Sequence, residues 1–584
     1  MPSKVALPNP ETVKNYPSNP KAVMVSTHSG IRVVERHYFW DKQKKRGCEK
    51  RDYLGYVVDN CFYSNDEYRR CFKRNGSKRL LPQADEPQDQ NLSLKQVASL
   101  ETKLAAEIPL YHAIAQKIGL VEDLTKVWGI DRANAVLSVA YQWLHTSSNA
   151  AYLYETWSAN KLLPYKETLI SKEMSGLLSS LSNTPGWNKD FFGARLARLP
   201  DEEMLSFDAT AIATEANEIS YAQFGKGKEG GYQKQVGLIL LLGQQSNMPV
   251  LFRVLPGHIT DVTTVQDMLF RFDEITDKRR VFGAVVDRGY FSLANLARFV
   301  DAGSRVIMAA KTDAKWIQQA IEVSMTHLWT NAARIQGESC WGWTVPVEPK
   351  FDDGVQRKLW VHVYRSDSKA HVENTAFYQD LEDFQTQWMH WTPKPGQDEA
   401  HCALRRSPWM KYFKSGIGEP GKSPLVQDDD AIDTATRYFG LFCNVSTMQC
   451  SAREAMATYR GRDLIEKAFK GGKSNLDLDV VRAHGESTME GRFIVGFVAL
   501  SILNELYVRM KKPYFQETKN GIKEVAPLAK EMSFNELKNR LATPRVIYDG
   551  HGNSYWLEVT NRQHNIAARM GFPTLYKTIP DWAH

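Results

Sequence analysis

The stretch EEMLSFDAT, Glu202–Thr210, opens a series of five apolar segments of strand length. The others are QVGLILLLGQQ (Gln235–Gln245), MPVLFRVLPG (Met248–Gly257), RVFGAVVDRGYF (Arg280–Phe291) and SRVIMAAK (Ser304–Lys311). Only turn or loop residues separate the first three. VTTVQDMLFRFDEI (Val262–Ile275) has helical spacing and precedes the fourth; LANLARFVDAG (Leu293–Gly303) lies between the fourth and fifth. Strand-strand-strand-helix-strand-helix-strand is an α/β order with a mixed sheet. Asp208 ends the run MLSF and Asp287 ends the run VFGAVV. One carboxylate at a strand end is most often a turn residue or a helix cap. Two, on strands that this order makes neighbours, suggest a shared site, and their oxygens suit a hard cation such as Mg²⁺.

Outward from this core, residues 1–80 alternate in short β-rich runs, and Leu81–Asn91 reads as a polar, Pro-containing linker. From Ser93 to about Leu199 the spacing is helical. Trp341 to about Phe442 reads as a second β-rich region (WGWTVPVEP, KLWVHVYRS, NTAFYQDLEDF) with tryptophans at 341, 343, 360, 388, 391 and 409. Helices return from Ser451 to Met510, and the last stretch looks like a small mixed appendage. Within the returning helices, SAREAMATYRGRDLIEKAFKGGK opens on a capping box, Ser451 with Glu454, and Gly471–Gly472 reads as its stop signal. On one helix Tyr459, Arg462, Glu466 and Lys470 share a stripe ~80° wide. Two i,i+4 ion pairs on a solvated face would account for such a stripe by themselves. Beside two strand-end aspartates it gains a chemical meaning.

Tyr459, Arg462, Glu466 and Lys473 match the pattern Y-x2-R-x3-E-x6-K, and the chain resembles the insertion-sequence DDE transposases of the family-four group that carry it. Asp208–Thr210 (Asp-x-Thr) and Asp287–Tyr290 (Asp-Arg-Gly-Tyr) look like that family's two other acidic motifs; PGHITD (Pro256–Asp261) and SNAAYLYETW (Ser148–Trp157) are also similar. The similarity runs from about residue 30 to the C-terminus. It implies a ribonuclease H-like core interrupted by a β-rich insertion, and 179 residues separate Asp287 from Glu466. It further implies that Asp208, Asp287 and Glu466 are catalytic and hold two Mg²⁺ or Mn²⁺ ions, and that Thr210, Arg288, Tyr459, Arg462, Lys470 and Lys473 meet DNA. Two features depart from the pattern. Asp463 stands where Trp often follows the signature Arg, and the diglycine before Lys473 is expected to end the helix, passing part of its phosphate contact to Lys470. The organisation expected is an N-terminal basic region (1–92), a helical DNA-binding region (93–200), a core in two parts (201–324 and 443–512), the insertion (325–442) and a C-terminal region (513–584).

Composition agrees with an enzyme of this kind. Hydrophobic residues make up 43% and charged residues 24% of the 584, the range of a globular chain. The apolar runs Val236–Gly243 and Phe493–Leu503 fall short of the ~20 residues of a membrane helix. MPSKVALPNP has no apolar core of a secretory signal, so an intracellular protein is expected, and the family resemblance implies a cytoplasmic, nucleoid-associated, prokaryotic one. The seven cysteines are scattered without CxxC spacing, which indicates neither a disulfide framework nor a zinc ribbon. Net charge is +7, and residues 31–80 alone hold fourteen Lys and Arg against seven Asp and Glu. There the basic residues, Lys44, Lys45 and Arg46 among them, alternate with aromatics, a composition suited to phosphates and bases. A second basic and aromatic run, Arg405–Lys422, reads as a long loop in which Trp409 stands ready to meet DNA. Trp341, Trp343 and Trp360 are the other candidates to hold a flipped base if the reaction passes through a DNA hairpin.

The reaction expected is cleavage at the terminal inverted repeats of a mobile element and joining to target DNA by two-metal phosphoryl transfer. Both ends must be handled together, so a homodimer on double-stranded DNA is expected. The main rival is a ribonuclease H-fold nuclease that cuts without joining. A DNA-binding protein that has lost its activity is a second, and a glycoside hydrolase built on the carboxylate pair leaves Arg462 and the lysines without a role.

Overall fold

A computed structural model of the chain describes residues 7–27, 30–72, 74–75, 78–79, 100–216, 218–226, 231–257, 261–277, 281–394, 402–416, 418–518, 521–549 and 553–583. It divides into two compact units, 1–100 and 101–584. The expected linker Leu81–Asn91 and His258–Thr260 of PGHITD lie outside the described residues.

The first unit is a four-stranded antiparallel sheet in the order β1 (Ala22–Thr27), β2 (Gly30–Asp41), β3 (Arg46–Val58), β4 (Cys61–Ser64), followed by α1 (Asn65–Cys71). Alternation puts Met24, Val33 and Val57 on one face over Val13. Ser64 and Glu67 close a capping box at the start of α1, whose Tyr68 stacks on Tyr56 at 3.8 Å between ring centroids. This core is small, and it leaves the far end of the β2–β3 hairpin unsupported.

The second unit begins with β5 (Glu101–Leu104) and the helices α2 (Ile108–Lys117), α3 (Leu120–Trp128), α4 (Ile130–Thr146), α5 (Tyr152–Ser158), α6 (Ser171–Ser182) and α7 (Trp187–Ala197). The strands of the large sheet follow: β6 (Leu205–Thr214), β7 (Gln223–Lys226), β8 (Tyr232–Gly243) and β9 (Pro249–Pro256), then α8 (Asp261–Thr276), β10 (Gly283–Val286), α9 (Leu293–Asp301), β11 (Arg305–Ala310) and α10 (Lys315–Met325). After them come β12 (Cys340–Val347), β13 (Leu359–Ser366), α11 (Asp367–Met389), α12 (Asp429–Thr436) and β14 (Leu441–Ser446). The site-bearing helices α13 (Ala452–Arg460) and α14 (Asp463–Leu476), β15 (Val480–Val481) and α15 (Glu486–Lys511) complete the core. The five apolar segments of the sequence are thus β6, β8, β9, β10 and β11. They belong to one mixed sheet of ten strands, in the order β9-β8-β6-β10-β11-β14-β13-β12, with β7 on β8 and β15 on β6.

Helices α2–α7 share a continuous hydrophobic core with this sheet. At its centre runs α15, apolar all round (Ile494, Val495, Val498, Ala499, Ile502 and Leu503 are fully buried), in contact with α4, α6, α14 and β9. By length and composition this helix could cross a membrane, with a mean hydropathy of 1.6 over its most apolar window, but 72% of that window is buried inside the protein. An all-round apolar helix is what a protein centre requires. Near the C-terminus a strand at Arg545–Tyr548 pairs with β5, tying the end of the chain to the start of this unit.

The region between β11 and β14 differs from the expected β-rich insertion. Its two strands extend the large sheet, β13 pairing with β14 and β12 with β13, and NTAFYQDLEDF lies in the 23-residue helix α11. Phe377, Leu381, Phe384 and Trp388 fall at helical spacing on one face and bury against Phe413, Leu425 and Ile432 in a small core of their own. The run Arg405–Lys422 is not an open loop either. Two 3₁₀ turns, Ala403–Arg406 and Pro408–Tyr412, fold it back onto α11.

Candidate active site

Asp208 does not end its strand. β6 continues to Thr214 along its antiparallel partner β8, where Asp208 lies opposite Leu240. What ends at this point is the parallel ladder on the other side, since Val286 of β10 pairs with Phe207 and β10 goes no further. The next partner on that side is β15, at Ala213 and Thr214. Between the two, one edge of β6 is open, and Asp208 sits at the mouth of the gap. Asp287 follows the last residue of β10 and caps the 3₁₀ turn Arg288–Tyr290, its Oδ1 accepting from the Arg288 N–H at 2.7 Å. Parallel pairing therefore sets the two aspartates side by side, each directly after a paired residue.

The third acidic residue arrives on a broken helix. Sequence periodicity predicts one helix from Ser451 to the diglycine; the chain instead forms α13 and α14, with the break at Gly461–Arg462. Side chains satisfy the carbonyls there. Gln244 Nε2 donates to the Thr458 carbonyl at 3.0 Å, and Ser206 Oγ to that of Gly461 at 3.3 Å. A methyl on Gly461 would meet the Gln244 amide at 2.7 Å and push that side chain away from the break. Gly471 and Gly472 do not stop the helix. Both are buried inside α14, facing Leu503 and Leu500 of α15, and the helix ends at Asp477, which adopts a left-handed conformation with φ 57°.

The guanidinium of Arg462, at the break, is the hub. Nη1 lies 3.6 Å from Asp208 Oδ2 and 3.5 Å from Asp287 Oδ2, and Nη2 lies 2.5 Å from Glu466 Oε1. Burial opposes its charge, but the pull of Asp287, Tyr459, Glu466 and Asp208 outweighs burial and holds its pKa above the ordinary value. Tyr459 donates its hydroxyl to Asp287 Oδ1 at 3.3 Å, and burial pushes that phenol up to about 12, so it remains a donor at any working pH. The Lys473 ammonium donates to the Ala211 carbonyl at 3.2 Å, within the stretch of β6 between its two parallel partners. Lys470 is exposed on α14. Of the two i,i+4 pairs expected on the stripe, Arg462–Glu466 forms, and among the described residues Glu466–Lys470 does not. Three carboxylates from three separate elements thus surround one cation. They stand around the guanidinium rather than on a single point, and among the described residues no group of three or more metal-ligating side chains is close enough to hold an ion as placed.

The remaining candidates divide. Arg288 is exposed beside Asp287. Thr210 points the same way along β6 as Asp208 and is only 5% exposed. Trp409 is half-buried, packed on Phe377 and Tyr412 at 5.6 and 5.5 Å, and serves the small core under α11. Trp343 stacks on His327 at 4.0 Å, and Trp360 is half-buried near Lys358. Lys44, Lys45 and Arg46 belong to the first unit and form the exposed tip of its long hairpin.

Several supports of the site carry no mark that a sequence reading would find. Ser206 and Gln244 brace the helix break. Asn149, within the SNAAYLYETW segment, donates to the Asp477 carbonyl at 2.7 Å and accepts from Arg482 at 3.0 Å, fastening the end of α14 to the helical region. Of these only Asn149 leaves a signal, through the similarity of its segment.

None of the curated proteins matches the chain. Among solved structures, the cryo-EM structure of a piggyBac transposase synaptic complex with hairpin DNA is similar over 71% of this chain and 70% of that one, at 7% identity and a TM-score of 0.34, too loose a likeness to carry an argument. The family model described as "Transposase DDE domain" matches residues 199–502, just over half of the chain, spanning Asp208, Asp287 and Glu466. The chain belongs to the transposase DDE domain family.

Proposed function

We propose that this transposase binds the terminal inverted repeats of a mobile element, cuts the DNA at its ends and joins them to a target, at a ribonuclease H-like core of the family-four group. The observation that carries this reading is the convergence of Asp208, Asp287 and Glu466 on the Arg462 guanidinium. The donor set is all hard oxygen, which suits Mg²⁺ or Mn²⁺, and Arg462 marks the point where positive charge is already accommodated. When bound by these carboxylates, two such ions supply activation of the attacking oxygen and charge stabilisation at the scissile phosphate.

The chain's own residues divide the rest of the work. With the carboxylates otherwise neutralised, the forked guanidinium of Arg462 turns to a phosphate oxygen, for which its geometry is suited. Tyr459 stays protonated and orients Asp287. Lys470 and Lys473 bind the DNA backbone as point charges, and Arg288 binds it through its forked guanidinium. The basic residues of 31–80 and the helical region 93–200 recognise the element ends, and two protomers act together so that both ends are cut and joined in one complex.

The test is a duplex carrying the element's terminal repeat, incubated with the protein and Mg²⁺. Nicks at the repeat boundary followed by strand-transfer products are expected, with both abolished in Asp287→Ala. Cutting without joining favours a nuclease, and unimpaired cutting by Asp287→Ala overturns the assignment.

A further inference from the structure

We infer that the hairpin Arg36–Arg51 is a free-standing β-ribbon that enters the major groove of duplex DNA, a conclusion that rests on the proposed function and names its first-unit DNA contact. The sheet of this unit is four strands wide only near its base. β1 pairs with β2 no further than Glu35, and β4 pairs with β3 only from Gly55 onward. Beyond those limits β2 and β3 continue alone through Arg36↔Arg51, Tyr38↔Glu49, Trp40↔Gly47 and Asp41↔Arg46. Six residues a side give a ribbon about 20 Å long. No core residue of the unit lies on it, although an isolated two-stranded hairpin is marginal in water.

Two properties of its surface say what covers it. Tyr38, Phe39 and Trp40 are 72%, 52% and 66% exposed, three consecutive large rings on both faces of the ribbon. Around them the ribbon carries seven Lys and Arg against two Asp and Glu, a net +5 out of the chain's +7. Both acids are already engaged. Glu49 pairs with Arg36 at 3.2 Å and Arg51 at 2.8 Å, and Asp41 accepts from the backbone N–H groups of Gln43 and Lys44, which folds the tip. Among the described residues Lys42, Lys45 and Arg46 have no carboxylate partner, so the tip presents uncompensated cations. A narrow strand pair of this length fits the major groove of B-DNA, which admits a two-stranded ribbon. Cations at its tip reach phosphates, and its rings cover sugar and base edges.

Full-length protein is titrated with a fluorescein-labelled 30-bp duplex of arbitrary sequence at several salt concentrations. Lys44→Ala/Lys45→Ala/Arg46→Ala is expected to lower the slope of log Kd against log salt by about 2 to 3, close to one for each phosphate that the variant no longer neutralises. Tyr38→Ala/Trp40→Ala is expected to weaken binding with the slope unchanged. Both variants should keep the wild-type melting temperature, because they lie outside the core. Filling the major groove with glucosylated hydroxymethylcytosine should weaken wild-type binding at least tenfold, a penalty that disappears in the triple variant, whereas netropsin in the minor groove should not. A wild-type slope in the triple variant, a penalty from netropsin alone, or self-association abolished by Trp40→Ala without any effect on DNA would overturn the ribbon assignment. Asp287→Ala separates the two claims: normal binding with no cutting leaves both standing, while binding through the ribbon by a wild-type protein that never cuts defeats only the proposed function.

Discussion

Arg462 holds the active site together in the form seen here, and that makes it testable. With a side-chain exposure of 17%, it balances three carboxylates that would otherwise repel one another. Glu466 is half exposed, so its share is screened to below ~1 kcal/mol. Any cation entering the cluster competes with the guanidinium. Arg462→Ala is therefore expected to bind Mn²⁺ about five- to tenfold more tightly than wild type while losing most of its DNA cleavage, and its melting temperature without metal should fall and recover on adding Mn²⁺. Calorimetric titration and an end-nicking assay check the two halves. Weaker Mn²⁺ binding in Arg462→Ala would mean that this side chain helps to form the metal site and does not compete for it. The residues that meet here are legible one by one, because acids that close apolar runs and the Tyr459–Lys473 spacing leave marks in a single sequence. Their supports are not, since Gln244 and Ser206 are ordinary polar residues whose role exists only once β6, β8 and the helix break come together.

Elements are readable where their burial is uniform. β8 and β10 are buried on both faces and read as continuous apolar runs. The second half of β6 (Asp208–Thr214) escapes such a reading because it alternates and loses one neighbour, so its residues carry no continuous apolar signal. Helix α11 reads as strand in the sequence because its buried residues, four in 23, lie among charges and short stretches of it look alternating. The diglycine of α14 misleads for a different reason. Glycine is a stop signal when the chain must turn left-handed, but here it lets two helices approach. Added methyl groups at Gly471 and Gly472 would sit at ordinary contact distances, 3.6 and 3.5 Å from the nearest side chains. Gly472→Ala should therefore raise stability by about 0.5–1 kcal/mol with activity retained. Gly461→Ala should cost about 1–2 kcal/mol and reduce cleavage, because the methyl displaces Gln244 and reorients Arg462. Urea denaturation and the nicking assay measure both, and a less stable Gly472→Ala would contradict the packing described for α14.

At the scale of the whole molecule, the helices of residues 108–197 are part of the same core as the sheet, which α15 joins by packing on both. The first unit concentrates the chain's excess positive charge, the basis on which we propose it as a DNA-binding body, and the hairpin register explains why its basic residues cluster. The candidate site is built once per chain, from β6, β10 and α14, and the proposed handling of two element ends therefore calls for two chains. Sizing by light scattering should show a complex of two protomers with two end duplexes, and strand transfer should appear only in that fraction. A complex of one protomer and one end that completes strand transfer would contradict the dimer.

The central claim is that Asp208 and Asp287 hold metal during the reaction, and exchanging oxygen for sulfur tests it most directly. Asp208→Cys and Asp287→Cys are assayed for strand transfer in Mg²⁺ and then in Mn²⁺, which accepts a thiolate ligand far more readily than Mg²⁺ does. The account predicts that activity in Mg²⁺ falls by a factor of about a hundred or more and is restored in part in Mn²⁺; full activity of either cysteine variant in Mg²⁺ would contradict it.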